Sequence, residues 1–241
     1  MLLFDLFGFR LWQKADFELI TISKGAHVGY NFWTKSEAER FRRRVQEFRG
    51  TPVRGTTNQR ITKFTRRQTR KLGLDISALQ RLAVGCVVPS DVKVKFLQAW
   101  YVVSTGSQGV QTDLPYLPHF DRDRRFKVMI YLSDVSEENG PISFAEVSQD
   151  DLASIEKTRL GLLQASDCPP VEMSQRNVVK TSLLKNVVGP AGSVVVFDTN
   201  NPHCAGSVEE GRSREVFRLD FRPKNRSKFF TFRLLRRACN T

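Results

Sequence analysis

The sequence predicts a mainly β fold, with an all-β core and helices gathered on its N-terminal side. From residue 91 onward, short apolar segments with a period of two alternate with turn signals such as Asn139-Gly140-Pro141. Before residue 91, apolar residues recur at helical spacing in two segments. With 241 residues, of which 40% are hydrophobic, the chain is long enough to bury one substantial core. We therefore predict a single domain over residues 1–241, divided into an N-terminal helical and basic extension (1–91), the β core (92–223) and a basic C-terminal tail (224–241).

Both helical segments begin with a capping signal. Ser36 and Glu39 form a capping box for the first helix, which is predicted to end near Gly50. Asp75 is the predicted N-cap of a second helix that runs to Val84. The inner faces of the two helices are expected to carry Ala38, Phe41, Val45 and Phe48 in the first, and Ile76, Leu79, Leu82 and Ala83 in the second. Residues 16–23 alternate and predict a strand ahead of both helices.

A strongly basic segment lies between the two helices. Arg49 to Lys71 contains eight Lys or Arg residues and no acid, and Gly55 to Asn58 interrupts any regular pattern. Unpaired charges are too costly to bury. Two interpretations are therefore open: a solvated, mobile loop, or a basic flap that covers the mouth of the β core and attracts an anionic substrate.

The longest predicted strand begins at Asp91 and runs to Val103. One of its faces is predicted to carry Val92, Val94, Phe96, Gln98, Trp100 and Val102. An amide in such a row needs a hydrogen-bond partner. Gln98 is therefore either a satisfied core residue or a contact to a co-substrate in the wall of a site. Further strands are predicted at 126–132, 142–147, 177–181, 185–188, 194–197 and 215–221, with a helical insertion at 150–164.

Composition limits the location and the partners of the protein. The net charge of +13 indicates attraction to anions, which include anionic small molecules, nucleic acid and acidic membrane surfaces. The four cysteines are scattered, which argues against a disulfide framework or a zinc cluster and favours a reducing compartment. The apolar N-terminal stretch is a poor signal peptide, and no run of apolar residues approaches the length of a membrane span. We therefore expect a cytoplasmic protein without a transmembrane segment.

One short stretch and one distant residue form a candidate metal site. His119 and Asp121 are alternate residues of an extended segment, so their side chains project to the same side. The β-branched run 193–197 delivers His203 to a strand end. Two imidazoles and one carboxylate hold non-haem Fe(II) on one face and leave the other positions open for a co-substrate and oxygen. His119, Asp121 and His203 are therefore the candidate catalytic metal ligands.

The sequence around these ligands resembles a known family. The first stretch, HFDRDRRFKVMIYLSDVSEENGPISF, places a lysine-containing apolar strand and an Asn-Gly-Pro turn after His-x-Asp. The second, GPAGSVVVFDTNNPHCAGSVEEGRSREVFRLDFRP, has a Gly-containing turn, a Val-rich strand, an Asp, a distal His and an Arg-bearing strand. Over residues 92–223 this order is similar to that of the phytanoyl-CoA dioxygenase family of Fe(II)/2-oxoglutarate oxygenases.

The resemblance implies a fold, a set of cofactors and a reaction. It makes the prediction for the β core more specific: a double-stranded β-helix, which is a cupin-like jelly roll with the metal at one mouth. It implies Fe(II), the co-substrates 2-oxoglutarate and O2, and hydroxylation of a small organic substrate with release of succinate and CO2. A carboxylate at Asp121 favours hydroxylation or desaturation over halogenation, and the high positive charge suits an anionic substrate.

The resemblance also implies an arginine that binds the remote carboxylate of 2-oxoglutarate. A guanidinium suits this role because it donates two parallel charged hydrogen bonds. In the family this residue lies about eleven positions after the distal histidine, which points to Arg214, with Arg212 and Arg218 as close rivals. Gln98 is a further candidate for contact with the co-substrate.

Two other classes of function stay open at this point. One is a non-catalytic jelly-roll binding module. The other is a nucleic-acid-binding or nucleic-acid-modifying protein, which the charge of +13 suggests although the chain has no recognised nucleic-acid motif. The sequence does not indicate the oligomeric state or the identity of the substrate.

Overall fold

A computed structural model describes residues 18–53, 58–106, 118–121, 123–146 and 184–224. The described residues form three helices: α1 (Lys35–Glu47), α2 (Arg66–Lys71) and α3 (Ile76–Cys86), with a short 3-10 helix at Glu137–Asn139. The strands among them are β1 (Leu19–Ser23), β2 (Ala26–Gly29), β3 (Thr51–Val53), β4 (Gln59–Phe64), β5 (Val94–Thr105), β6 (Phe126–Tyr131), β7 (Ile142–Ala145), β8 (Leu184–Val187), β9 (Val194–Asp198), β10 (His203–Ala205) and β11 (Ser213–Pro223). The mainly β prediction is confirmed.

Within these ranges the strands make two antiparallel sheets. The larger sheet has eight strands in the order β1-β2-β9-β6-β11-β5-β4-β3, and the smaller has three in the order β10-β7-β8. Every strand pairing is antiparallel. At the centre of the larger sheet, the neighbours β2 and β9, β9 and β6, β6 and β11, and β11 and β5 come from distant parts of the chain, as expected for two sheets that fold over one another.

Each face of the larger sheet packs against a different layer. The inner face packs against the smaller sheet, where Phe144 meets Phe197 with ring centroids 5.0 Å apart. The opposite, helical face packs against the helices, where Phe41 of α1 meets Phe217 edge-on at 5.1 Å. Because side chains alternate along a strand, the larger sheet contributes to two apolar layers, which explains why all six residues of β6 are buried.

The first helix begins two residues earlier than predicted. Its N-cap is Thr34, which forms the capping box with Glu37, whereas Ser36 lies inside the first turn. The predicted inner face is otherwise correct, since Ala38, Phe41 and Val45 are buried. Asp75 caps α3 as predicted, and its carboxylate accepts hydrogen bonds from the backbone N–H groups of the first turn.

The long strand β5 does not keep one alternation over its whole length. Phe221 pairs with Phe96 and Asp220 pairs with Gln98, so Leu97 is an extra residue and forms a bulge. Val94 and Phe96 therefore face the helical layer, whereas Gln98 and the residues that alternate with it lie on the inner face. The prediction that all of them share one face is wrong, because a bulge shifts the alternation by one residue.

The basic segment 49–71 is neither an irregular loop nor a flap in its described part. Residues 51–53 and 59–64 are strands of the larger sheet, and residues 66–71 form α2. Phe64 and Leu72 are fully buried in the helical layer, while the cations among the described residues of the segment stay exposed. The segment therefore forms one edge of the larger sheet, followed by α2. Its cations on α2 line a surface recess of about 610 Å³ formed by Arg66, Arg67, Arg70 and Lys71.

A tight turn joins the two sheets near the end of β10. Gly140 has a positive φ of 67°, and an added Cβ would lie 2.3 Å from the carbonyl oxygen of Gly206. The adjacent Asn139 donates a hydrogen bond to the backbone carbonyl of Ser213 at 2.8 Å. The Asn-Gly pair thus holds the start of β7 against the loop that follows β10.

Several predictions lie outside the described residues. They are the helix at 150–164, the strand at 177–181, the first residues of the strand at 16–23, and nearly all of the tail 224–241. None of the described helices combines the length and the apolar character needed to cross a membrane.

Candidate metal centre

The structure brings the three predicted ligands together where the two sheets meet. His119 and His203 form an isolated antiparallel bridge, with backbone hydrogen bonds in both directions at 3.0 and 2.8 Å. The backbone N–H of Asp121 donates to the carbonyl of Thr199 at 3.2 Å, which continues the same pairing. His119 and Asp121 therefore lie beside His203 because of backbone hydrogen bonding between two distant segments.

The ligand atoms of the three side chains converge without bonding to one another. One carboxylate oxygen of Asp121, Oδ1, lies 3.9 Å from Nε2 of His119 and 3.9 Å from Nε2 of His203. These separations exceed hydrogen-bond length, and all the ligand atoms lie within 4.8 Å of one another. A group of two imidazole nitrogens and one carboxylate oxygen spaced in this way has room for one ion between the three atoms.

A buried lysine holds the second oxygen of Asp121. The ammonium of Lys127, on β6, lies 2.8 Å from Oδ2, and the lysine side chain is only 7% exposed. Burial alone would raise the pKa of Asp121, but the ammonium of Lys127 outweighs it and holds that pKa well below its usual range. Asp121 therefore stays ionised, and only Oδ1 faces the histidines.

His203 is kept neutral and in one orientation. Burial, together with His119 and Lys127, lowers its pKa well below the ordinary value of 6.5. Its Nδ1 lies 2.8 Å from the backbone carbonyl of Asn201. A carbonyl only accepts, so Nδ1 carries the hydrogen and the lone pair of Nε2 faces the other ligands. A hydrogen bond from the other ring nitrogen commonly orients metal-binding histidines in this way.

The turn before His203 is fixed by buried polar contacts. Asp198, at the end of β9, accepts hydrogen bonds from the guanidinium of Arg124 at 2.6 to 3.2 Å and from the backbone N–H of Asn200 at 3.0 Å. The side chain of Asn201 donates to Ser23 at 3.0 Å, which ties the turn to the end of β1. These contacts set the position at which β10 begins, and therefore the position of His203.

The order of these elements matches one family over most of the chain. The model of the family described as phytanoyl-CoA dioxygenase (PhyH) matches residues 25–216. The chain belongs to the phytanoyl-CoA dioxygenase (PhyH) family. No curated protein sequence matches the chain significantly.

Solved structures share the fold of this PhyH-family chain. HygX from Streptomyces hygroscopicus, with nickel and 2-oxoglutarate bound, is 16% identical, with a TM-score of 0.56 over 84% of each chain. EvdO2 from Micromonospora carbonacea var. aurantiaca, complexed with 2-oxoglutarate, is 14% identical, with a TM-score of 0.53 over 83% of this chain and 86% of EvdO2. The epimerase SnoN, in complex with Fe3+ and alpha-ketoglutarate, is 14% identical, with a TM-score of 0.50 over 83% of this chain and 78 to 79% of SnoN chains.

The family assignment confirms the predicted class of enzyme. This PhyH-family protein is an Fe(II)- and 2-oxoglutarate-dependent oxygenase, which uses iron, 2-oxoglutarate and O2. The described residues include a His–Asp–His group that could hold the ion. The enzymatic interpretation is thereby supported over the alternative of a non-catalytic binding module.

The candidate arginines for 2-oxoglutarate lie in different environments of the PhyH-family fold. Arg214 is on β11, faces the inner side of the larger sheet, and is 6% exposed. A terminal nitrogen of its guanidinium lies 3.5 Å from the hydroxyl of Ser104, its partner on β5. Arg212 lies just before β11 and is exposed.

The other two candidates, Arg218 and Gln98, both donate hydrogen bonds to a carboxylate that was not predicted to be part of the site. Asp220, on β11, is completely buried. It accepts hydrogen bonds from Arg218 at 2.9 Å, from Gln98 at 3.2 Å and from the Trp100 indole at 2.9 Å. Burial would raise the pKa of Asp220, but Arg218, Lys127 and Arg125 keep it below its ordinary value.

Two residues of the site that were not predicted, Lys127 and Asp220, are nevertheless unusual in the sequence. Lys127 is the one charged residue in the apolar run of β6, and Asp220 is an acid between Leu219 and Phe221. A charge in a buried row requires a partner of opposite sign. The alternation would have placed both side chains on the inner face, but it does not reveal that they lie opposite each other on β6 and β11.

Proposed function

We propose that this oxygenase hydroxylates a small organic substrate and that His119, Asp121 and His203 bind its iron. The observation that carries the proposal is the convergence of three ligand atoms of the required chemistry in a chain of the PhyH family. The donor set fits Fe(II), because two neutral imidazoles and one carboxylate leave half of an octahedral shell open. Bound iron would supply the reaction of O2 in which one oxygen atom enters succinate as 2-oxoglutarate loses CO2 and the other enters the hydroxylated substrate.

The surrounding residues of the protein would prepare these ligands. Lys127 keeps Asp121 ionised and occupies Oδ2, so that the carboxylate offers a single oxygen. The carbonyl of Asn201 holds His203 in the tautomer that presents Nε2. Both effects arrange the donor atoms before an ion arrives, which lowers the reorganisation that binding requires.

We also propose that Arg214 binds the remote carboxylate of 2-oxoglutarate. Arg214 is buried on the inner face, whereas Arg212 is exposed to solvent. A buried guanidinium is a strong partner for a carboxylate because water does not compete with its hydrogen bonds. Arg214 pairs with Ser104 near the start of β11, six residues before Asp220.

A small-molecule substrate is supported by the relatives of known structure. HygX has been solved with hygromycin B bound, and SnoN with nogalamycin RO bound. For this chain we propose only that the substrate is likewise a small molecule. A cytoplasmic location also stays a prediction, supported by the scattered cysteines.

The proposal is tested with a ligand double variant and a histidine control. His119→Ala combined with Asp121→Ala should abolish Mn(II) binding measured by calorimetry, as well as succinate formation from 2-oxoglutarate without substrate. His27→Ala is the matched control, because His27 lies on β2 and bonds to Thr21 at 3.2 Å, away from the ligands. Metal affinity of wild-type strength in the double variant would rule out these residues as the ligands.

A further inference from the structure

We propose that Arg218 and Arg125, both held by buried Asp220, form an anion-binding wall that takes an oxyanion group of the substrate next to the metal site. The chemical class is a small molecule with a carboxylate, sulfate or phosphate group. This inference rests on the proposed function, since it names the substrate class for the same site.

The wall lies beside the metal ligands. Asp220 pairs with Lys127 across β11 and β6, and the ammonium of Lys127 contacts Asp121 at 2.8 Å. Neighbouring strands are about 4.8 Å apart, so Asp220 is one strand away from the lysine that contacts a metal ligand. Arg218 lies two residues from Asp220 on the same face of β11.

Asp220 serves as the anchor of the wall and is not itself a binding group. Its carboxylate is fully buried and accepts from Gln98, Trp100 and Arg218, while Nη1 of Arg125 lies 3.5 Å away. Three of these groups meet Oδ2, and Arg218 meets Oδ1. Because the carboxylate is fully buried, Asp220 orients the two guanidinium groups and is not accessible to a substrate.

The arginines keep donors for an incoming anion. Arg218 uses Nε for Asp220, and its guanidinium lies over the Trp100 ring at 5.7 Å from the centroid. A guanidinium carries five N–H donors, so the two terminal NH2 groups of Arg218 can form a fork with an oxyanion. The side chains of Arg218 and Arg125 are 24% and 28% exposed, which leaves them accessible while they are held in place.

Charge alone does not select an anion at this wall. Arg125, Lys127 and Arg218 are balanced by Asp121, Asp220 and Asp123, the last of which lies 4.0 Å from Arg125. Asp123 is 55% exposed, so solvent weakens its pairing with Arg125. Attraction of an oxyanion group therefore depends on the guanidinium N–H donors and not on a surplus of positive charge.

The wall is separate from the proposed anchor of 2-oxoglutarate. Arg214 is four residues from Arg218 on β11, which places their Cα atoms about 13 Å apart along the strand. Arg214 lies opposite Ser104, whereas Arg218 lies opposite Trp100 on β5 and Met129 on β6. The amide of Gln98 is bound to Asp220, which assigns it to the wall. The two arginines therefore lie at separate positions along β11, one for each anion.

The test uses acetate as the anion and acetamide as its neutral counterpart. Protein loaded with Mn(II) and 2-oxoglutarate is titrated with 13C-labelled acetate, and the paramagnetic relaxation of the acetate carbons is measured. The wild type should relax acetate strongly and acetamide weakly. Arg218→Gln should weaken acetate binding about tenfold, because a charged hydrogen bond is lost. Arg125→Gln should also weaken acetate binding. It tests the second arginine of the wall, which does not lie on β11.

Arg212→Gln is the matched control, because it removes the same charge from an exposed position. It should leave the relaxation of acetate unchanged. Equal relaxation in Arg218→Gln and the wild type would overturn the inference, as would a similar response to acetamide. A loss of 2-oxoglutarate affinity in Arg218→Gln would assign Arg218 to the co-substrate and would also overturn it. If the wild type fails to bind Mn(II) and 2-oxoglutarate, the proposed function fails instead.

Discussion

Replacing Lys127 with methionine should destabilise the metal-free protein by about 3 kcal/mol and the metal-bound protein much less. At the observed 2.8 Å, an effective dielectric constant of about 20 gives a gross attraction to Asp121 of roughly 6 kcal/mol. Removing one partner of a buried ion pair costs about 3–5 kcal/mol, because the other charge is left uncompensated. Asp121 is 20% exposed, which places the expected loss at the lower end of that range.

Bound metal should restore most of this loss, because the ion replaces the ammonium as the positive partner of Asp121. The assay is urea unfolding of the wild type and Lys127→Met, each without metal and with saturating Mn(II), analysed with a shared slope. Mn(II) should stabilise the variant more than the wild type, and the remaining difference should be about 1 kcal/mol or less. Lys185→Met is the control, because its ion pair with Glu146 is half exposed and is expected to change stability by at most about 0.5 kcal/mol.

Two outcomes would refute this reasoning. If the metal-free variant is as stable as the wild type, Lys127 does not compensate Asp121. If the loss is the same with and without Mn(II), the lysine supports the fold and not the charge of the ligand.

Three further predictions follow from the site and the fold. In calorimetry, Arg214→Ala should raise the dissociation constant of 2-oxoglutarate by an order of magnitude or more without changing the affinity for Mn(II). Arg212→Ala should leave both affinities unchanged. If Arg212→Ala weakens 2-oxoglutarate binding and Arg214→Ala does not, Arg212 is the residue that binds the co-substrate. The pKa of His203 is lowered below 6.5, so as the pH falls below that value the unfolded chain gains a proton that the folded chain does not. The metal-free protein should therefore lose up to roughly 1.4 kcal/mol of unfolding free energy per pH unit between about pH 6.5 and 5. His203→Gln should remove a large part of this slope, and an unchanged slope would contradict the burial of a neutral imidazole. Gly140→Ala should cost at least about 2 kcal/mol because its φ is positive and the added Cβ would lie 2.3 Å from a carbonyl oxygen. Gly85→Ala in α3, where nothing lies within 4 Å of the added carbon, should instead stabilise the protein by about 0.5–1 kcal/mol in the same unfolding assay.

The sequence predicted those features that depend on local spacing. His119 and Asp121 are alternate residues of one extended segment, and the caps and inner faces of the helices follow from a few neighbouring positions. The β-branched run before His203 suggested it as the third ligand, and the resemblance to the family supported this link between distant segments. The mainly β class could be predicted because alternation is itself a local property.

The remaining features depend on which strands become neighbours. The bulge at Leu97 is a matter of register between β5 and β11, and no spacing within β5 reveals it. The pairing of Lys127 with Asp121 and the convergence of Gln98 and Arg218 on Asp220 likewise arise from the order of strands in the sheet. The basic segment was misjudged because its net charge hid the few residues, such as Phe64, that anchor it.

The backbone pairing of His119 with His203 has a consequence for which metal the enzyme carries. The ligands are joined by two main-chain hydrogen bonds, so their arrangement does not depend on an ion for its assembly. A prearranged site of imidazole and carboxylate ligands binds divalent ions in the general order in which nickel and copper exceed iron. Affinity alone would therefore favour the competing ions. We expect the free concentrations of metals where the protein is made to contribute to its iron loading.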